Sequence, residues 1–188
     1  MANKKFQLDA VLASATEVFW QYGYHGTSIQ QLVNATGLKP GSLYREFDSK
    51  DGLYKRTLSR YALNTVAEVN AHIADHKDVC EGIRHILAQT IEVSKETNYC
   101  GCFLIKSQLE LSSHNREIYH SVLAELKTIE ANYASQLKSM FSVEDSALYA
   151  KQIMMVIFGI RVYGYQKENL AALKSTTRSL LPWLYGNM

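Results

Sequence analysis

The chain has 188 residues, of which 47% are hydrophobic, and its formal net charge is only +2. This length suits one large domain or two small ones, and so small a charge does not by itself indicate a nucleic-acid partner. The longest apolar run, Ile153 to Ile160, is much shorter than the roughly 20 residues that cross a bilayer. Three cysteines cannot all pair within the chain. We therefore expect a soluble, cytoplasmic protein that does not contact a membrane.

The first predicted helix has an apolar residue at every third or fourth position and ends at Gly23. Two short helices are predicted to follow it, each below the roughly 12 residues at which an isolated helix becomes stable. We expect them to pack against the first helix as a three-helix headpiece. The apolar face of the first helix consists of Leu8, Val11, Leu12, Ala15, Val18, Phe19 and Tyr22.

The two short helices lie between Thr27 and Lys50, and a turn with glycine separates them. Thr27 and Gln30 have the spacing of a capping box, which predicts a helix start. Gly37 suits the end of that helix, and Pro40 suits the first turn of the next one. Two helices joined in this way form a helix-turn-helix, whose second helix enters the major groove of DNA.

The second of these helices carries side chains that suit DNA. Lys39, Ser42, Tyr44 and Arg45 can contact phosphates or base edges, and Gly41 lets the backbone approach closely. The first 60 residues also contain 8 lysines and arginines against 5 acidic residues, whereas the remainder contains 12 against 13. This modest asymmetry favours the N-terminal part as the one that meets DNA.

These residues occur at the spacing of a known family. The pattern Leu12-x2-Ala15-x3-Phe19-x3-Gly23-Tyr24-x2-Thr27-Ser28-Ile29, followed by Gly37-Leu38-Lys39-Pro40-Gly41-Ser42-Leu43-Tyr44-x2-Phe47-x2-Lys50, resembles the N-terminal domain of tetracycline-repressor-like (TetR) regulators. The resemblance implies that Thr27, Tyr44 and Lys50 contact phosphates, while Lys39, Ser42 and Arg45 face base edges or the nearby backbone. The predicted DNA-binding residues are Thr27, Ser28, Lys39, Pro40, Gly41, Ser42, Tyr44, Arg45 and Lys50.

Two positions depart from the family pattern. Lys39 stands where a small hydroxyl residue often caps the recognition helix, and Gly52 stands where an acidic residue usually completes the cap begun by Ser49. We expect Gly52 to weaken the start of the fourth helix slightly. Considered singly, Tyr44 also fits a core aromatic residue and Thr27 a simple helix cap, so it is the combined spacing that favours DNA binding.

After the headpiece the sequence predicts only helices. The fourth begins at Ser49 and spans around 25 residues, or some 35 to 40 Å, which is enough to connect the headpiece to a body. Five more are predicted at about 79–97, 102–112, 115–141, 144–166 and 169–185. We therefore predict an all-α fold of about nine helices. Residues 1–48 form the helix-turn-helix DNA-binding domain, and residues 49–188 form an effector-binding and dimerisation domain.

The last two predicted helices indicate a homodimer. The eighth is apolar on more than one face, so part of its surface is expected to meet a second chain. The family resemblance likewise implies a four-helix bundle between subunits. Such a dimer would place two headpieces on the half-sites of a palindromic operator in double-stranded DNA. The predicted interface residues are Met155, Val162, Leu180, Trp183 and Leu184.

A second pattern, Gly101-Cys102-Phe103-Leu104-x5-Glu110-Leu111, resembles the helix beside the ligand cavity in one branch of the same family. Tyrosines and other large side chains in the body could line an apolar cavity, although each also fits ordinary core packing. We predict a small aromatic or apolar effector that releases a repressor from its operator. The predicted pocket residues are Tyr99, Cys102, Phe103, Tyr119, Met154 and Phe158.

Two alternatives concern other chemistry. Cys102 follows Gly101 at a predicted helix start, where a thiol can become reactive, so a redox- or electrophile-sensing regulator is the alternative function. A small buried cysteine fits the same position. His72, His76 and Cys80 have the spacing of helical metal ligands, but the 75–78 segment is expected to end that helix. With no nucleophile or nucleotide-binding motif, we predict neither enzyme activity, nor a cofactor, nor a metal.

Overall fold

The computed structural model describes residues 2–112, 116–166 and 170–186. Within these ranges the chain forms ten α-helices and no β-strand, which confirms the predicted all-α class. The first residues predicted for the seventh and ninth helices, Asn115 and Asn169, lie outside the described residues. The helices are α1 (Ala2–Gly26), α2 (Ile29–Thr36), α3 (Pro40–Phe47), α4 (Lys50–Ala74), α5 (Val79–Val93), α6 (Phe103–Leu111), α7 (Arg116–Leu137), α8 (Val143–Tyr163), α9 (Leu170–Leu180) and α10 (Pro182–Tyr185).

The junction between α1 and α2 differs by one residue from the prediction. Gly23 breaks α1 with φ 76° and ψ 173°, as its predicted helix end requires. The capping box is formed by Ser28 and Gln31, not by Thr27 and Gln30. Thr27 is only 2% exposed, and its hydroxyl donates to the carbonyl of Gly23 at 2.6 Å. The Thr27 hydroxyl is therefore hydrogen-bonded at the break in α1, and Ser28 caps α2.

A tight turn joins α3 to α4 and explains the glycine at position 52. Asp48 has a positive φ of 63°, and the Ser49 hydroxyl accepts the Gly52 amide at 3.0 Å. A Cβ atom at position 52 would lie 2.0 Å from the carbonyl oxygen of Phe47. A side chain at position 52 would collide with the preceding turn. The turn therefore requires glycine here, even though glycine is expected to weaken the start of α4.

The predicted final helix is interrupted. It ends at Leu180, because Leu181 leaves helical geometry with φ −122° and ψ 60° before Pro182 begins the four-residue α10. Proline has no N–H to continue the helical hydrogen bonds. This break raises the predicted count of about nine helices to ten among the described residues.

The chain forms two compact units. Unit 1 comprises Met1–Leu63 and Phe103–Leu126, and unit 2 comprises Asn64–Cys102 and Lys127–Met188. The chain passes between them within α4, immediately before α6 and within α7. Unit 1 thus contains more than the predicted headpiece of residues 1–48, whose boundary as a DNA-binding domain remains a prediction.

An aromatic cluster fills part of the core of unit 1. Phe19 contacts Tyr54 edge to face, with ring centroids 4.7 Å apart. Phe103 of α6 contacts Tyr54 and Tyr61 of α4 at 5.6 and 5.7 Å. Edge-to-face pairs of this kind add to the stabilisation from burial. One face of α6 is therefore part of the core that supports the end of α1 and the start of α4.

The core of unit 2 is formed mainly by α5, α8 and α9. The side chains of Tyr149 and Trp183 stack with centroids 4.0 Å apart, and the Trp183 indole donates to Gln152 Oε1 at 2.6 Å. Among the described helices, none combines the length and apolar character that crossing a membrane would require. The buried aliphatic residues of this unit include Ile83, Leu87, Ile91, Ile153, Ile160 and Leu181.

Candidate nucleic-acid interface

The helix α3 is attached to unit 1 by one face and exposed on the other. Leu43 and Phe47 are buried, and so is Leu32 of α2, with which α3 is in contact. The exposed side chains on α3 include Tyr44 and Arg45. Because a helix of eight residues is not stable alone, this apolar attachment fixes the direction in which its polar side chains point.

The N-terminus of α3 has no side-chain cap. Lys39 occupies the capping position and makes no side-chain capping hydrogen bond, although its carbonyl accepts the amides of Ser42 and Leu43 at 2.9 and 3.0 Å. Lys39, Pro40 and Gly41 are all exposed. The departure at Lys39 therefore leaves a cation beside the positive end of the helix dipole, an arrangement suited to an anionic partner such as phosphate.

The other predicted DNA-binding residues differ in their exposure and in their contacts within the chain. Ser28 is exposed, but its hydroxyl belongs to the capping box with Gln31. Ser42 and Arg45 border a small cavity of about 230 Å³ that α1 residues also line. Thr27 is buried and its hydroxyl is bonded to the Gly23 carbonyl, so this side chain is not presented at the surface, and its phosphate contact stays a prediction. The remaining contacts stay predictions about a DNA complex.

Lys50 is held by an aromatic neighbour that sequence reasoning did not assign to the site. Its Nζ lies 4.5 Å from the centroid of the Tyr24 ring, which is within the range of cation–π attraction. Burial lowers the pKa of Lys50, whereas Asp51 and Glu110 act in the opposite direction. The Tyr24 hydroxyl donates to Asp51 Oδ1, and burial is the main reason that the pKa of Tyr24 is raised.

Glu110 of α6 connects this group to the break in α1. Its two carboxylate oxygens accept the amides of Tyr24 at 2.9 Å and His25 at 2.8 Å. A Cβ at Gly23 would lie 2.8 Å from Glu110 Oε2, so the glycine also gives the carboxylate room. Lys106 donates from Nζ to the Trp20 carbonyl at 2.5 Å. Glu110 is part of the pattern that resembles the family, but its contact with the end of α1 is visible only in the tertiary structure.

The predicted effector-pocket residues are divided between the two units. Phe103 and Tyr119 belong to unit 1, whereas the other four belong to unit 2. Phe103 lies in the aromatic core, and Met154 is also buried. The Tyr99 hydroxyl donates to the Arg161 carbonyl at 3.1 Å, and burial raises the pKa of Tyr99. Ordinary packing therefore accounts for the positions of Phe103 and Met154.

The predicted dimer residues divide into exposed and buried ones. Met155 is 74% exposed, and Val162 and Leu180 are also exposed. Between α8 and α9 lies an apolar groove of about 540 Å³, which Met155 and Leu180 line. Trp183 is only half-buried but is held in its aromatic stack, whereas Leu184 is 1% exposed. The Leu184 side chain is already buried within unit 2 and offers no exposed surface to a partner, so its place at the interface stays a prediction.

Among the described residues, the cysteines and histidines form no metal centre. None of the three cysteines is in a disulfide. Burial raises the pKa of the Cys80 thiol, and His76 Nδ1 lies 2.5 Å from the His72 carbonyl oxygen. Within residues 2–112, 116–166 and 170–186, no group of three or more potential ligands among His, Cys, Asp and Glu is arranged to hold a metal ion.

A family model described as bacterial regulatory proteins of the tetR family matches residues 11–57, which contain the break in α1, the capping box and all of α3. A curated helix-turn-helix repressor, ComR of Escherichia coli K12, matches 140 residues of the chain at 34% identity. The chain belongs to the TetR family. The resemblance found in the sequence is thereby confirmed.

Two relatives illustrate the extent of this similarity. The transcriptional repressor ComR of Escherichia coli K12 is 34% identical over 140 residues, which cover 73% of this chain and 63% of ComR. The uncharacterised transcriptional regulator YezE of Bacillus subtilis 168 is 30% identical over 129 residues, which cover 68% of this chain and 66% of YezE. The matched region thus spans slightly less than two thirds of each relative.

Solved structures support the fold over nearly the whole chain. A cysteine mutant of the TetR-family regulator CifR, complexed with 26 bp operator DNA, has a TM-score of 0.76 at 22% identity and covers 93% of this chain and 95% of its own. Reduced Escherichia coli NemR has a TM-score of 0.74 at 15% identity, with 92% and 95% covered. At these identities the similarity establishes the shared fold.

Proposed function

We propose that this chain is a dimeric, DNA-binding transcriptional repressor. The observation that carries the proposal is the exposed face of α3, which presents Lys39, Gly41, Tyr44 and Arg45 from a buried apolar attachment. The name of ComR as a repressor and the operator complex of CifR support the same function. In this function α3 lies in the major groove of an operator half-site.

The side chains of the interface have two roles. Lys50 and Tyr44 contact phosphates, which provide affinity without reading the sequence. Arg45, together with Ser42, faces base edges, where an arginine that binds guanine discriminates by about 1–3 kcal/mol. Gly41 permits close approach of the helix backbone, because nothing lies within 4 Å of the position that its Cβ would occupy.

Fluorescence anisotropy with DNA from upstream of the chain's own gene tests this division. Lys50→Ala should weaken specific and nonspecific binding alike and reduce the slope of log K against log salt by about 0.9 per lost phosphate contact. Arg45→Ala should instead reduce the preference for operator over scrambled DNA. Lys127→Ala, an exposed lysine on α7, is the control and should change neither quantity.

The absence of specific binding at any salt concentration, with a folded dimer present, would contradict the DNA-binding proposal itself. Equal behaviour of Lys50→Ala and Arg45→Ala would contradict only the assigned roles.

The proposed dimer forms through the apolar groove of α8 and α9. An exposed methionine, Met155, lies in this groove, and burying a carboxylate there without a partner would be strongly unfavourable. We expect Met155→Glu to weaken dimerisation at least tenfold in sedimentation equilibrium. Leu109→Glu is matched, because Leu109 on α6 is 70% exposed and lies outside the groove. If both variants remain dimeric to the same extent, the interface lies elsewhere.

Release from DNA is proposed to follow effector binding. The effector needs a higher affinity for a conformation in which the two α3 helices no longer match the half-site spacing. We retain an aromatic or apolar effector as the proposal, with Tyr99, Cys102, Met154 and Phe158 of unit 2 as its candidate contacts. A neutral aromatic probe such as 1-naphthol should release labelled operator DNA, and Phe158→Ala should weaken that effect. A probe that binds without changing DNA affinity would argue against its role as an effector.

Cys102 supports a second candidate, a regulator released by electrophiles. The residue is half-buried and directly precedes α6, whose Glu110 holds the end of α1. N-ethylmaleimide should then release the operator from the native chain but not from Cys102→Ala, with Cys80→Ala as the control. If Cys102→Ala responds like the native chain, sensing by this thiol is excluded.

A further inference from the structure

A second cavity in unit 2 has a chemistry different from that of the apolar groove. It has a volume of about 410 Å³ and lies among α5, α9 and α10. Part of its wall is apolar, with contributions from Ala88 and the buried Ile91. The cavity depends on the break between α9 and α10. Because of this break, α10 contacts α5 and contributes Tyr185 to the lining. The volume is within the range of small-molecule sites.

Three basic side chains line this cavity, which we name the α5–α9 cavity. Arg84, Lys174 and Arg178 face one acidic residue, Glu81. The Lys174 ammonium is also 2.8 Å from Glu92 Oε1, a carboxylate that it shares with Lys95, so we leave Lys174 out of the charge balance. Two guanidinium groups therefore remain against one carboxylate. This imbalance gives the cavity a positive potential, even though residues 61–188 as a whole contain 12 lysines and arginines against 13 acidic residues.

The two arginines are already oriented. Arg84 donates from Nη1 to the Leu184 carbonyl at 2.8 Å, and the Arg178 guanidinium lies 5.7 Å from the centroid of the Tyr185 ring. The Tyr185 phenol is protonated at neutral pH and offers one hydroxyl donor to the cavity. Because side chains fixed in advance lose less entropy on binding, this arrangement lowers the entropic cost of holding a ligand.

Imidazole donors complete the lining. His76 and His85 both border the cavity, and their ring centroids are 4.7 Å apart. A neutral His85 imidazole can donate one hydrogen bond to an anion without a change of protonation, whereas the N–H of a neutral His76 faces the His72 carbonyl oxygen. The cavity therefore combines guanidinium, imidazole and phenol donors with an apolar wall.

We propose that the α5–α9 cavity binds a small organic anion that carries a carboxylate or phosphate group on an apolar body. Arginine guanidinium groups match the geometry of both groups, since they donate two parallel hydrogen bonds to neighbouring oxygens. The apolar body of the ligand lies against Ala88 and Ile91. The site is separate from the six residues predicted for an effector, and binding there does not depend on the proposed DNA-binding function.

Isothermal titration calorimetry of the full chain without DNA tests the proposal. The probes are benzoate, phenyl phosphate and the neutral isostere benzamide, each at constant ionic strength. At least one anion should bind at least tenfold more tightly than benzamide, a difference of about 1.4 kcal/mol. Preference for benzoate assigns the site to carboxylates, and preference for phenyl phosphate assigns it to phosphate esters. If benzamide binds as well as both anions, or none of the three binds, the proposal is wrong.

Two substitutions, one that removes a positive charge and one that removes a negative charge, test whether the anion binds in this cavity. Arg178→Gln, at an exposed position, should weaken binding of the preferred anion at least tenfold, whereas Glu81→Gln should strengthen it severalfold. Lys151→Gln removes the same charge from an exposed position on α8 outside the cavity and should have no effect. Equal losses in Arg178→Gln and Lys151→Gln would show a nonspecific response to net charge and overturn the assignment. An unchanged affinity in Arg178→Gln would do the same.

Discussion

Replacing Glu110 by glutamine should loosen the end of α1 without disturbing the core. The native carboxylate accepts the amides of Tyr24 and His25 at 2.9 and 2.8 Å, with one oxygen for each. Glutamine has nearly the same shape but only one acceptor oxygen and no charge. One of the two amides consequently loses its partner, and the other bond becomes weaker.

The size of the effect follows from these two contacts. Hydrogen bonds to charged groups contribute about 1.5–3 kcal/mol each, and the lower end applies because the His25 amide is at an exposed site. Since one neutral bond remains, we expect the free energy of unfolding to fall by about 1–2 kcal/mol. For a chain of this size each kcal/mol lowers Tm by about 2–4 °C.

Urea unfolding at a fixed protein concentration measures the total change, and amide hydrogen exchange locates it. Exchange at the Tyr24 and His25 amides should accelerate, while the Leu53 amide inside α4 serves as an internal reference. Glu117→Gln is the matched control, because Glu117 pairs with Lys55 on the surface and its side chain is 81% exposed. Exposed pairs of this kind contribute about 0–1 kcal/mol. Equal stability of the two variants, with unchanged exchange at Tyr24, would refute the reasoning.

Three further predictions concern single positions. Gly52→Ala should lower the free energy of unfolding by about 2 kcal/mol or more in urea titrations, because its Cβ would lie 2.0 Å from the Phe47 carbonyl oxygen; wild-type stability would contradict the steric role. Gly41→Ala should instead stabilise the chain by up to about 1 kcal/mol, since its Cβ meets nothing within 4 Å and alanine favours helix. In the anisotropy assay the same variant should bind operator more weakly, and unchanged affinity would argue against close backbone approach at this position. Hydrogen bonds from Lys174, and to a smaller extent from Lys95, lower the pKa of Glu92 to about 2. The stabilisation by these two pairs is therefore complete above the ordinary pKa of 4.5 and is lost as the pH falls through about 2. NMR titration should show the Glu92 pKa rising in Lys174→Gln, and an unchanged value would rule out the pairing.

The headpiece was largely predictable because its signals are local. Gly23, Gly37 and Pro40 mark helix ends through backbone conformations that few other residues adopt so readily. Even so, the helix cap was predicted one residue early. Thr27 and Ser28 are chemically similar, and only the contact of Thr27 with the Gly23 carbonyl decides which hydroxyl remains for the cap.

In the rest of the chain the helices were predictable, but which of their apolar residues are exposed was not. Apolar periodicity marked α8 correctly, yet Leu184 is buried while Met155 is exposed, although both are hydrophobic and both were predicted to lie at the interface. Their difference arises from neighbours that are distant in sequence. Arg84 is 100 residues from Leu184, and it is hydrogen-bonded to the Leu184 carbonyl.

The all-α class, the helix-turn-helix and the resemblance to the TetR family follow from the amino-acid sequence, because turn residues and apolar spacing act within a few residues of the chain. Only the tertiary structure decided that Glu110 holds the end of α1, that Tyr24 lies beneath Lys50, and that basic residues of α5 and α9 share one cavity. The physical reason is that hydrogen bonds and charges act over a few ångströms in space, whereas these residues are separated by many positions along the chain.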